Sequence, residues 1–147
     1  MENWDVLLRE LCCLPVFLWL AIRDKRYMEI PRAGLLVTAG VLLFGGCFTT
    51  VSWQLRVGGA LFGAGLLAMI YLSKEALGVA DGVIIFVYGI AFGLYEVAVL
   101  CFLATLFTSP VAGILLLTKK GGRKTRLPFF PFLLLGYVAL RILQETV

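Results

Sequence analysis

The chain has 147 residues, 61% of them hydrophobic and 15% charged, with a formal net charge of +4 and no histidine. Soluble domains are nearer half apolar and a quarter charged, and the longest hydrophilic stretch, Lys119–Arg126, is far too short to fold alone. The composition therefore excludes a soluble domain, and the missing histidine excludes a Ser–His nucleophile, a His-Glu-x-x-His zinc site and a histidine base.

The apolar residues fall in runs broken by short charged or glycine-rich segments, the pattern of an all-α, polytopic membrane protein with about six transmembrane helices. A single membrane-embedded domain over 1–147 is expected. The first span is read at Val6–Ile22, with Arg9 and Glu10 near its outer end, where long side chains can snorkel. The start has no positive n-region and no small-residue cleavage site, so the span is expected to be retained. Arg23-Asp24-Lys25-Arg26 closes it. Pro31 then disfavours helix at Ile30 and suits the start of the second span, Ala33–Val51.

The third span is Leu55–Leu72, where Gly59 and Gly63, extended by Ala60 and Ala64, predict close helix packing. After Ser73-Lys74-Glu75 comes Gly78-Val79-Ala80-Asp81-Gly82, then an almost uncharged run from Val83 to Thr118. As one helix that run would be about 54 Å long against a bilayer core of about 30 Å, so it must double back. Gly93-Leu94-Tyr95-Glu96 is its polar break, which predicts a tight outer turn and a short fourth span. The fifth span is Val97–Leu117, with a kink expected at Ser109-Pro110. A basic loop, Lys119–Arg126, leads to a sixth span from Pro128 to Leu143.

Ten of the thirteen Lys and Arg residues fall in the first, third and fifth loops; Arg9, Arg56 and Arg141 lie on the other side. The positive-inside rule then puts both termini outside and Asp24 and Asp81 at the cytoplasmic face. The same distribution explains the basic charge without nucleic acid. The cysteines, 12, 13, 47 and 101, all lie in apolar runs, form no Cys-x-x-Cys, and are read as apolar filler.

Glu2, Asp5, Glu10, Glu29, Glu75 and Glu145 are placed where water reaches them, and Glu96 in the outer turn. Asp24 and Asp81 remain, each at the inner end of a span. Two carboxylates meeting in a poorly solvated site share one proton at neutral pH, the working state of an aspartic protease. Gly78 and Gly82 would let the chain turn sharply and let a substrate backbone approach. The structural alternative is ordinary capping, with Asp81 as N-cap of the fourth span.

Three motifs carry a resemblance. Gly78-x-Ala80-Asp81 resembles the Gly-x-Gly-Asp motif of the type IV prepilin and preflagellin peptidases, a family of membrane aspartyl proteases. Asp24 with Ile30-Pro31 matches that family's Asp-x5-Ile-Pro pattern. Pro128-Phe129-Phe130-Pro131-Phe132 stands where its last span opens with a Pro-Phe-Gly-Pro-Phe type sequence. The ordered set covers the peptidase core from about residue 7 to residue 143.

The resemblance implies catalytic Asp24 and Asp81 within the Gly78, Ala80, Gly82 backbone motif, with Ile30, Pro31, Pro128 and Pro131 in support. It implies removal of a basic leader from prepilin-like proteins, whose hydrophobic helix follows the leader, at the cytoplasmic face of the inner membrane. No metal or other cofactor is expected, and no methyltransferase part is implied. The chain departs from the pattern at Ala80, Arg32, Val83 and Phe130. Two other readings stay open: a small transporter or ion-conducting protein using Asp24 and Asp81 as a relay, and an inactive relative that binds prepilins without cutting them.

Overall fold

The computed structural model describes residues 2–27, 31–73, 78–118 and 128–146. Ile30, Glu29, Lys74, Glu75 and the basic loop Lys119–Arg126 lie outside the described residues. Six α-helices and no strand occur among those described: α1 (Glu2–Tyr27), α2 (Arg32–Gly46), α3 (Trp53–Ser73), α4 (Val79–Phe92), α5 (Leu94–Leu117) and α6 (Phe130–Thr146). The all-helical class expected from the apolar runs is found. Two stretches, Trp53–Leu72 and Leu94–Leu115, are long and apolar enough to cross a membrane; α2 and α4 are shorter apolar helices.

Helix α4 is the centre of the bundle. It packs on α2, α3 and α5, and its Tyr88 ring reaches Phe17 of α1 at 5.9 Å. Ile84, Ile85, Val87, Tyr88, Ala91 and Phe92 are all buried. A helix buried all round needs little polar surface, which is why this stretch of sequence has almost none.

The α3–α4 contact is made by glycine. A Cβ on Gly59 would run into the backbone of Gly89, and one on Gly63 would lie 2.5 Å from Phe86 Cα. The close packing expected at Gly59 and Gly63 is therefore present. The small face ends there, since Ala64 is exposed.

The outer turn is tighter than expected. Gly93 alone joins α4 to α5, at φ 89°, a conformation that favours glycine. Leu94, Tyr95 and Glu96 already form the first turn of α5. With 14 residues, α4 spans about 21 Å, so the short fourth segment is also found. Helix α5 runs on through Pro110.

Helix α2 stops at Gly46, short of the expected Val51. The cause is Arg56, whose Nη2 donates to Gly46 O at 2.8 Å and Thr49 O at 3.2 Å. Thr49 Oγ1 also donates to Gly46 O at 2.7 Å. These side chains satisfy carbonyls that a further helical turn would otherwise use. Cys13 is fully buried, as filler should be, whereas Cys47 is exposed.

Candidate active site

Asp24 lies in the last turn of α1, beyond the apolar stretch Val6–Ile22, and faces the start of α6. Its Oδ2 accepts from the Phe130 N–H at 3.2 Å, and the Phe129 N–H bears on the same carboxylate. Pro128 and Pro131 shape this end. Proline is tolerated in a first helical turn, where its missing N–H costs little, and the free N–H groups between the two prolines are turned on Asp24. A carboxylate from one helix thus caps another, and the partial positive charge of the α6 N-terminus favours its ionised form.

Asp81 is the third residue of α4, ahead of the apolar run that opens at Val83, and only 7% exposed. The expected alternative, Asp81 as N-cap, is corrected: the N-cap is Gly78. Asp81 instead reaches back, its Oδ2 accepting from the Gly78 N–H at 3.2 Å, while its own N–H donates to Gly78 O at 3.0 Å. This is the return half of a capping box.

The glycines act differently from expectation. Gly78 has φ −67° and ψ 142°, which any residue adopts, so no glycine-only turn is used. Gly82 matters for packing: a Cβ there would lie 2.9 Å from Ile70 Cδ1 and 3.1 Å from Leu67 Cγ. Ala80 is the second residue of α4 and sits in ordinary helix, where alanine is the best former. Its departure from the glycine pattern therefore needs no unusual backbone.

The two carboxylates lie near enough for the Asp24 charge to act on Asp81. Burial first, and then Asp24, push the Asp81 carboxyl up to about 7, against the smaller effect of the Gly78 N–H. Burial also raises Asp24, opposed by the Phe130 and Phe129 N–H groups. Among the described residues neither aspartate has a salt-bridge partner. The neighbouring Arg23 lies instead over the Trp19 and Tyr27 rings, 5.5 and 5.4 Å from their centroids. Two carboxylates that feel each other's charge disfavour joint ionisation.

The supporting residues divide. Pro128 and Pro131 set the helix end that holds Asp24, whereas Pro31 is the N-cap of α2, its carbonyl accepting from the Leu35 N–H. Ile30 lies outside the described residues.

A second polar cluster, missed in the sequence, occupies the other end of α1, about 21 Å away along the helix. Arg141 Nε pairs with Glu10 Oε1 at 2.7 Å and Arg141 Nη2 with Glu96 Oε2 at 3.2 Å. Arg9 joins both acids more loosely. Tyr137 OH donates to Glu10 at 2.9 Å, Tyr88 OH to Glu96 at 3.1 Å and Gln144 Nε2 to Glu96 at 2.9 Å. Glu10 and Glu96 are thus drawn inward, with side chains 22% and 13% exposed, rather than left to water. The available signal was two acids and two arginines stranded in apolar runs at the same predicted end.

The model of the type IV leader peptidase family matches residues 11–117. That range holds Asp24, Pro31 and Gly78–Gly82 and stops before Pro128. No curated protein and no solved structure matches the chain.

Proposed function

The chain belongs to the type IV leader peptidase family, and on that premise we propose that it is a membrane aspartyl endopeptidase whose working groups are Asp24 and Asp81. One observation carries the reading: Asp24 of α1, held at the N-terminus of α6, lies near enough to the buried Asp81 of α4 for its charge to oppose ionisation there, which favours one proton between the two. In hydrolysis one carboxylate takes a proton from water as the oxygen adds to the peptide carbonyl carbon, and the other protonates the carbonyl oxygen. Collapse of the gem-diol breaks the C–N bond, the first carboxyl gives its proton to the leaving amine, and the second recovers one from a diol hydroxyl.

The substrate is a prepilin-like protein, cut between a basic leader and a hydrophobic helix. The decisive assay is cleavage of such a substrate by the purified protein in lipid. Asp24→Asn and Asp81→Asn should each lower the rate by about a thousandfold or more with abundance unchanged, because an amide keeps the shape but cannot exchange the proton. Substantial cleavage by either variant would remove that residue from the mechanism.

The apolar runs of all six helices cross the inner membrane in this reading, as one domain with both aspartates outside those runs at the cytoplasmic face. The charge distribution supports it, and so does the use of the outer arginines: Arg9 and Arg141 are engaged in the ion cluster and Arg56 in closing α2. A cysteine placed at Gln54 should react with an impermeant maleimide from outside, and one at Lys120 only from the cytoplasm. The reverse pattern would put the carboxylate pair on the wrong face for a leader peptidase.

A further inference from the structure

We propose that the two carboxylates have fixed and different roles: Asp24, held by the α6 N-terminus, carries the charge and takes the proton from water, while Asp81, buried in the first turn of α4, carries the proton. The assignment rests on the reading of the pair as catalytic, and it adds which group does what.

Geometry separates the two. Asp24 is only partly buried and faces the Phe130 and Phe129 N–H groups at the start of a 17-residue helix. Each of those donors stabilises an ionised carboxylate, as does the helix end itself. Asp81 also sits at a helix start, but among the described residues one N–H, that of Gly78, reaches its side chain, and the side chain is buried. Among the described residues, none of the elements around it pairs it with a cation. α1 presents Asp24, and α3 presents Leu67 and Ile70 to the adjoining Gly82. Arg23 is taken up by aromatic rings, and Lys25, Arg26 and Arg32 are exposed. A buried carboxyl beside a carboxylate that is better solvated and better hydrogen-bonded is the one that keeps the proton. Burial raises both carboxyls, opposed at Asp24 by the Phe130 and Phe129 N–H groups and at Asp81 by that of Gly78. With Oδ2 accepting from Gly78, the proton belongs on Oδ1.

The cycle then closes without exchange of roles. Asp24 takes a proton from water, the new O–C bond forms, and the Asp81 proton goes to the carbonyl oxygen. On collapse Asp24 returns its proton to the amine nitrogen and Asp81 recovers one from the diol. Asp24 is again ionised and Asp81 again protonated, with one water consumed.

Infrared titration of the protein in lipid tests this without turnover. At about pH 6, where ordinary exposed carboxyls are ionised, the carbonyl band of a protonated aspartic acid should be present in the wild type. It should be lost in Asp81→Asn and kept in Asp24→Asn, with its midpoint moved to lower pH because the neighbouring charge is gone. Labelling with dicyclohexylcarbodiimide, which attacks protonated carboxyls, followed by peptide mass spectrometry should mark Asp81 at least about tenfold faster than Asp24. Persistence of the band in Asp81→Asn with its loss in Asp24→Asn, or faster labelling of Asp24, overturns the assignment even if both aspartates prove essential for cleavage. If both variants cleave normally, the catalytic reading itself fails, whatever the spectra show.

Discussion

Asp81 is the residue through which pH should act. Its carboxyl is raised from 3.8 to about 7, first by burial and then by Asp24, so the folded protein favours the neutral form. The stability this contributes is complete below about pH 4 and is lost as pH rises through about 7. Asp81→Asn removes that loss. The variant should therefore melt higher than wild type above about pH 8, and the gap should close toward about pH 4. Activity should be bell-shaped, falling above about pH 7 as Asp81 ionises, with an acid limb set by protonation of its partner. An alkaline limb beyond about pH 9, in the range of tyrosine or lysine, would reject Asp81 as the proton donor. Residues of this kind were legible in the sequence because an acid beside an apolar run has few ordinary explanations. What their glycine neighbours do was not legible. Gly78 suggests conformational freedom, yet its backbone is ordinary, and the value of Gly82 depends on Leu67 and Ile70 from another helix.

Between elements, the α3–α4 contact decides where Asp81 sits, because α4 carries that residue in its first turn and meets α3 backbone to backbone. Gly59→Ala puts a methyl group into the Gly89 carbonyl, and no flexible side chain stands there to yield. The helices must part, at a cost of about 1–3 kcal/mol. Gly65, on the same helix, has open space where its Cβ would be. Gly65→Ala should therefore be neutral or stabilise by up to about 1 kcal/mol through helix propensity. Thermal unfolding of the two variants in the same detergent, with cleavage measured alongside, checks the contrast. Equal melting temperatures would mean that the glycine contact does not hold α4. The Gly-x-x-x-Gly spacing predicted a close contact but could not name its partner, since spacing is a property of one helix. The premature end of α2 was hidden for the same reason: the Arg56 that closes it lies ten residues beyond Gly46, across a loop.

Across the whole molecule, the polar groups gather at two ends with the aromatic core of Phe17, Tyr88 and Tyr137 between them. One end holds the two carboxylates, which have no salt-bridge partner among the described residues. The other holds Arg9, Glu10, Glu96 and Arg141, whose signs balance. Such a cluster can only be seen once the fold is known, because Glu10 and Arg141 are at opposite ends of the chain. Its arrangement predicts a mechanical role rather than a chemical one. Arg141, 11% exposed at its side chain, ties α6 to Glu10 of α1 and to Glu96 of α5. Arg141→Met leaves two acids facing each other with only the looser Arg9 between them, and breaking a buried pair in this way costs about 3 kcal/mol. Arg141→Met with Glu10→Gln should cost less than the two single changes together, because the second removes the charge that the first strands. The α1–α6 contact also presents Asp24 to the Phe130 N–H, so loosening it should lower kcat as well as the melting temperature. The alkaline limb of the pH profile should stay near 7, since nothing around Asp81 changes. Melting curves and pH–rate profiles of the three variants distinguish the possibilities. A shifted alkaline limb in Arg141→Met would show that the far cluster sets the charge state of the carboxylate pair and that the two ends are not independent.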